Sequence, residues 1–289
     1  MASIRDIKLK IKTIKNIQQI TKAMKMVAAA RLKKAEERLD AARPYARKIA
    51  EVTLDLASLT PWSDNQLLKP DRKTKRVLIL VFTGDRGLAG GFHQQIADGA
   101  VRFAKKFQEK SAVSYYMVGL KGQQRFQTRH LPIYKRFNEP AVGVPFVSVQ
   151  TLADELVELY LNQEFDHVYL YYAKFKSAMS QKPRAFQLLP IDPSKARQKE
   201  EHGLFLFEPS QEIILNTLLP RYVESEIYRA FLETEVGELG ARMTAMSSAT
   251  DNAADLIDRY KLQYNRIRQS QITKEIAEIV GGAEALNNR

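Results

Sequence analysis

SIRDIKLKIKTIKNIQQITKAMKMVAAARLKKAEERLDAARPYARKIAEVTLDLASL, residues Ser3–Leu59, contains no glycine and a single proline, Pro44. Its apolar residues recur at Ile4, Ile7, Ile11 and Ile14, the three-and-four spacing of one helix face. The stripe continues through Ile17, Ile20, Met24 and Val27 and reads as a coiled-coil seam. The successive steps of three from Ile11 to Ile20 are expected to shift the seam locally. Ser3 is placed to cap the start, with Asp6 as an acidic capping partner. Pro44 lacks a backbone donor and is expected to bend or interrupt the helix.

The other end of the chain has the same texture. From about Pro209 to Val280 the pattern is helical, and no proline follows Pro220. Its apolar positions include Ile227, Phe231, Leu239, Met243, Met246, Ala253, Leu256, Tyr260, Tyr264, Ile267, Ile276 and Ile279. Gly237 and Gly240 weaken the helix locally, and Gly281 with Gly282 reads as its stop. A helix of about 55 residues spans roughly 80 Å, whereas a compact chain of this size is about 40 Å across. Two such helices most economically bury their stripes against each other. Ala28–Ala30 on one side and Ala245, Ala249 and Ala253 on the other favour close approach. The middle of the chain must return, so the pair is expected to be antiparallel.

Between the helices, Val77–Thr83 (VLILVFT) is a continuous apolar run, as expected of a strand covered on both faces. A glycine-rich turn and a helix-like stretch from Phe92 to Phe107 follow. Ala112–Val118 and Val168–Ala173 read as further strands, with a helix at Thr151–Leu161 between them. Ala185–Leu189 and Leu204–Phe207 are candidate additional strands, and Asp192–Gly203 is a polar loop or hairpin. Alternation of strand and helix implies an α/β domain with a mostly parallel sheet. The expected parts are therefore a coiled-coil helix over 1–59, a Rossmann-like α/β domain over 75–208 and a second coiled-coil helix over 209–289.

Composition narrows the chemistry. The 289 residues are 45% apolar, enough for a core, and include no cysteine, which excludes disulfides and thiol catalysis. His93, His130, His167 and His202 lie far apart and form no metal-binding pair, so no metal is expected. No run of 18 apolar residues is present, and the N-terminus lacks the apolar block of a signal peptide. The basic start continues far past any transit segment and is read as mature structure. The net charge is +12. Residues 1–48 carry 14 basic against 4 acidic side chains, and residues 221–289 carry 9 against 11, so the excess belongs to the first helix. Lys22, Lys25, Arg31, Lys33 and Lys34 surround its apolar Met24–Ala28 stretch. Nucleic acid would need a basic face free to follow phosphates, but here the seam demands a partner helix. An acidic protein loop is the alternative partner.

The loop Gly84-Asp85-Arg86-Gly87-Leu88-Ala89-Gly90-Gly91 sits between strand and helix, where phosphate-binding loops occur. It matches neither G-x-G-x-x-G nor the P-loop pattern, and Asp85 adds negative charge. A tight turn is the simpler reading. Saturable nucleotide binding there would instead mark a nucleotide-using enzyme, and salt-sensitive DNA or RNA binding through residues 5–34 would mark a nucleic-acid-binding protein. No nucleophile constellation or paired-carboxylate site is present, so no catalytic residue and no cofactor is expected.

IKNIQQITKAMKMVAA at Ile14–Ala29, ARMTAMSSATDNA at Ala241–Ala253, YNRIRQSQITKEIAEIVGGAEAL at Tyr264–Leu286 and the central GDRGLAGG resemble gamma subunits of F-type ATP synthases of the bacterial type. The resemblance implies a central rotor shaft, one copy per complex, inside a ring of alpha and beta subunits. It also implies contact with the epsilon subunit and the c-ring, at the cytoplasmic face of the bacterial plasma membrane. Such a shaft couples proton-driven c-ring rotation to ATP synthesis, and hydrolysis to the reverse. It binds no nucleotide and is not a catalyst. By resemblance, Lys22, Met24, Lys25, Lys33, Arg268, Gln269 and Thr273 face the alpha/beta ring, and Phe205, Phe207 and Glu208 belong to a foot near the c-ring. Ala89 stands where cysteine is common and His93 where asparagine is common.

Overall fold

The computed structural model describes residues 4–59, 65–68, 75–108, 111–195, 208 and 210–287. They form two compact units: the chain up to Val27 with the chain from Met243, and Ala28–Arg242. Two helices run through both, α1 (Ile4–Leu59) and α5 (Gln211–Asn287).

The larger unit is built on a five-stranded sheet: β1 (Arg76–Phe82), β2 (Ala112–Val118), β3 (Ile133–Arg136), β4 (His167–Ser177) and β5 (Ser180–Leu189). The spatial order is β3-β2-β1-β4-β5. β1 pairs in parallel with β2 and β4, β2 pairs in parallel with β3, and β5 closes the sheet antiparallel to β4. The central position of β1 explains its unbroken apolar sequence. Leu78, Leu80 and Phe82 enter one core, with α4 (Phe146–Leu161), the last turns of α1 and the first half of α5. Val77, Ile79 and Val81 enter the other, under α2 (Phe92–Ala104) and α3 (Leu120–Thr128). Alternate side chains of one strand thus feed two cores, as the pleat dictates.

The expected strands and helices of this unit that fall within the described residues are present. α3 and β3 were not expected, because their sequences hold little periodic signal. LKGQQRFQT buries only Gly122 and Phe126, and IYKR is a short edge strand with no buried residue. α4 begins five residues before the expected Thr151, directly after Pro145. The Leu204–Phe207 segment and Ser3 lie outside the described residues.

Pro44 does not interrupt α1, and Pro220 lies within α5. Nor do Gly281 and Gly282 stop α5, which continues to Asn287. Glycine permits a left-handed cap but does not impose one, and a side chain at either position would meet nothing within 4 Å. Gly237 and Gly240 have a packing reason. A Cβ at Gly240 would stand 3.1 Å from the Ala178 backbone at the β4–β5 turn, and one at Gly237 would stand 3.0 Å from Phe92. Their helix penalty is offset by the closeness of sheet and helix that they allow.

The stretch of α5 in this unit is acidic and buried: Glu224, Glu226, Glu233, Glu235 and Glu238 are almost fully covered. Each needs a cation, because an unpaired buried carboxylate is costly. Arg38 reaches Glu235 at 2.5 Å, Arg221 reaches Glu224 at 3.0 Å, and Arg242 pairs with Glu238. Arg229 lies against Glu226 at 2.5 Å and approaches Glu233 at 4.0 Å. Burial, partly opposed by Arg229, pushes Glu226 up to about 7.

Thr83 pins the end of β1. Its hydroxyl donates to Val118 O at 2.8 Å and accepts the Gly122 N–H at 3.0 Å. Gly119 passes beside it with φ +88, and a Cβ there would overlap the Thr83 carbonyl. Gly119→Ala is expected to destabilise the chain by about 3 kcal/mol or more, read as a lowered urea midpoint in equilibrium unfolding.

Candidate functional site

In the smaller unit, α1 and α5 meet along a seam that departs from the expected one. On α1 the covered positions are Ile4, Ile7, Ile11, Ile14, Gln18, Thr21 and Met24. After Ile14 the seam keeps its heptad rhythm and takes polar residues; it does not follow the isoleucines. Ile17, Ile20 and Val27 are 46%, 59% and 52% exposed, whereas Thr21 is 8% exposed. The physical reason is helix geometry. Repeated steps of three fall behind the 3.6-residue turn and rotate the stripe off the seam. On α5 the matching positions are Met246, Thr250, Ala253, Ile257, Tyr260, Tyr264 and Ile267, at alternating steps of four and three. Ile257, not Leu256, faces inward, while Leu256 is exposed.

The cross-helix contacts prove the expected antiparallel order. Lys8 lies over the Tyr264 ring at 5.5 Å and Lys10 over Tyr260 at 5.8 Å. Thr250 Oγ1 donates to Thr21 Oγ1 at 2.8 Å, and Lys25 Nζ donates to Ser247 Oγ at 2.9 Å. As the α1 number rises, its α5 partner falls. This pairing uses up the seam of α1 near Ile4. Beyond Ile267 every described side chain of α5 up to Ala283 is exposed. Ile272, Ile276, Ile279 and Val280 are among them.

The predicted ring-facing residues therefore differ in their surroundings. Lys22 is exposed, Met24 is half-buried in the seam, and the Lys25 ammonium is engaged by Ser247. Arg268, Gln269 and Thr273 are exposed on the uncovered end of α5, where Thr273 Oγ1 donates to Gln269 O at 2.9 Å. Lys33, in the larger unit, is exposed on α1. Of the predicted foot residues, Glu208 is exposed; Phe205 and Phe207 lie outside the described residues.

In the larger unit, the Gly84–Gly91 loop is a joint, with its groups already committed. The Asp85 carboxylate accepts the N–H groups of Leu120 and Ala141, at 3.0 and 2.9 Å. Gly84 N–H donates to His93 Nδ1 at 3.2 Å, and His93 Nε2 lies 2.9 Å from Arg86 O. Arg242 donates to the carbonyls of Arg86 and Gly87, each at 3.2 Å, and pairs with Glu238. A side chain at Gly84 would overlap the Glu238 carboxylate. Burial pushes the Glu238 pKa up, against the pull of Arg242. Asp85 is spent within the loop, where its carboxylate holds two backbone N–H groups as a tight turn requires. Arg242, Glu238, Gln18 and Thr250 were not singled out from sequence. Only the heptad count continued from Ile14 points to Gln18 and Thr21. Among the described residues, no acid–histidine cluster has metal-binding geometry, and no helix is long and apolar enough to cross a membrane.

The family described as ATP synthase matches residues 3–286. The ATP synthase gamma chain of Geotalea uraniireducens is 42% identical over 287 residues, covering 99% of each chain. That of Desulfitobacterium hafniense is 44% identical over 288 residues, 99% of this chain and 100% of the relative. The chain belongs to the ATP synthase gamma-chain family. Its part in the enzyme is that of a complex subunit, the central rotor shaft. A chain from the central stalk and c-ring structure of Tetrahymena thermophila mitochondrial ATP synthase has a TM-score of 0.60 and 27% identity, covering 80% of this chain and 99% of that one. For a gamma chain, the polar section of the seam is a testable feature. Thr21→Val is expected to cost about 1 kcal/mol. Thr21→Val with Thr250→Val should cost less than the sum of the two single changes, as a double-mutant cycle by urea unfolding would report.

Proposed function

We propose that the chain turns as a non-catalytic shaft inside the alpha/beta ring, driven by the proton-driven c-ring during synthesis and by hydrolysis in reverse. Nucleotide binds to the ring subunits. In this reading residues 1–59 and 209–289 supply the shaft helices, and 75–208 supply the body. The body, with Phe205, Phe207 and Glu208 at its foot, meets the epsilon subunit and the c-ring. The working place is the cytoplasmic face of the bacterial plasma membrane.

The observation that carries this reading is the apolar surface left on helices whose seam is already filled. Ile17, Ile20 and Val27 on α1, and Ile272, Ile276 and Ile279 on α5, face outward. Exposed apolar residues grouped on a helix face mark a partner surface. Apolar contact is non-directional, which suits a surface that must slide past successive ring subunits. Lys22, Met24, Lys25 and Lys33 supply positional preference beside it, with Arg268, Gln269 and Thr273 near the tip. Rotation couples to nucleotide affinity only through such differences in contact between ring states.

The chain has no cysteine, so Ser111→Cys gives a single attachment point for a visible probe. Reconstituted with its own alpha and beta subunits and given ATP, the probe is expected to turn steadily in one direction. A firmly attached probe that stays still while the complex hydrolyses ATP would overturn the shaft reading. In the same assay Ile20→Lys is expected to lower torque several-fold while leaving the unfolding free energy of the isolated chain within about 0.5 kcal/mol, whereas Met24→Lys, at a half-buried seam position, is expected to lower both.

A further inference from the structure

His93 holds the Gly84–Gly91 joint through two backbone contacts that only the neutral ring makes together. The Gly84 N–H points at Nδ1, so that nitrogen must carry a lone pair. Nε2 lies at hydrogen-bonding distance from the Arg86 carbonyl and must carry the hydrogen. A second proton has only Nδ1 to occupy, where it would face the Gly84 N–H. The ring is half-buried, and its exposed part leaves it open to protons from solvent.

We propose that His93 is an acid-sensitive latch on the loop: protonation at Nδ1 breaks the contact with Gly84 and loosens the joint between the sheet and α5. The charged groups around the ring are Asp85 and Arg86 on the loop, Lys121 and Arg125 on α3 with Arg129 at its end, and Arg242 with its partner Glu238 on α5. Burial, with Arg242 and Lys121, pushes the imidazole below its ordinary value of 6.5, while the Arg86 carbonyl and Asp85 pull it back. The latch is therefore closed at neutral pH. A histidine whose folded pKa is lowered contributes stability that is complete above the unfolded value and is lost as pH falls through the folded one. Arg242 keeps its hold on the Arg86 and Gly87 carbonyls throughout, so opening is confined to the Gly84 side.

Hydrogen exchange of the full chain tests this at the Gly84 amide, with the intrinsic rate divided out at each pH. Protection is expected to fall roughly five- to tenfold, the worth of one hydrogen bond, as pH is lowered from neutral through the folded imidazole's value, which lies below 6.5. In His93→Asn the acid step disappears. In Lys121→Gln the loss of an opposing cation moves it to higher pH. Protection of Gly84 that stays level on acidification until the native chain unfolds would overturn the proposal. So would an acid step that persists in His93→Asn, or one that Lys121→Gln leaves in place. Loss of the step in His93→Asn with an upward move in Lys121→Gln separates a titrating latch from a purely structural ring.

Discussion

A helix of 77 residues cannot bury its own side chains, and the architecture follows from what covers each stretch of α5. From Gln211 to Arg242 the sheet and the later turns of α1 lie against it, and its Tyr222–Gly240 part is almost wholly buried. From Met243 to Ile267 only the first turns of α1 lie against it, and a heptad stripe suffices. Beyond Ile267 nothing in the described chain covers it. Composition changes at each step, from glutamates held by arginines, through a narrow seam, to exposed isoleucines.

The seam shows how stability and use are divided on one helix. A coiled coil built for strength would place Ile17 and Ile20 inside. Here Gln18 and Thr21 take those places, and the cross-helix contacts nearby are a Thr–Thr hydrogen bond and a Lys–Ser hydrogen bond. Polar seam positions give up packing energy but fix register, because a slip would leave their groups unpaired. The displaced isoleucines become exposed surface.

The joint at Gly84–Gly91 solves a different problem. A sheet domain that must turn with a helix has to be fixed to it. Gly84 lets the loop lie against buried Glu238, and Arg242 holds both the acid and two loop carbonyls. Gly237 and Gly240 let the β4–β5 turn approach the same stretch of helix. Glycines that weaken α5 by propensity therefore sit where close approach requires them.

By itself the sequence determined the two long helices, the central strands and the antiparallel order, because each rests on local periodicity that burial then obeys. The runs Ile4–Ile14 and Val77–Phe82 are clear cases. It also determined the family, through motifs spread over both ends and the middle. The tertiary structure decided which face of α1 is the seam, since Ile17 and Ile20 satisfy one helical reading and Gln18 and Thr21 another until a partner helix is present. It decided that Gly281 and Gly282 continue a helix, because a glycine stop needs a capture that only the surroundings supply. Above all it decided the loop partners of Arg242. Arg242 and its acceptor on Gly87 are 155 positions apart along the chain, and no local pattern encodes such a contact.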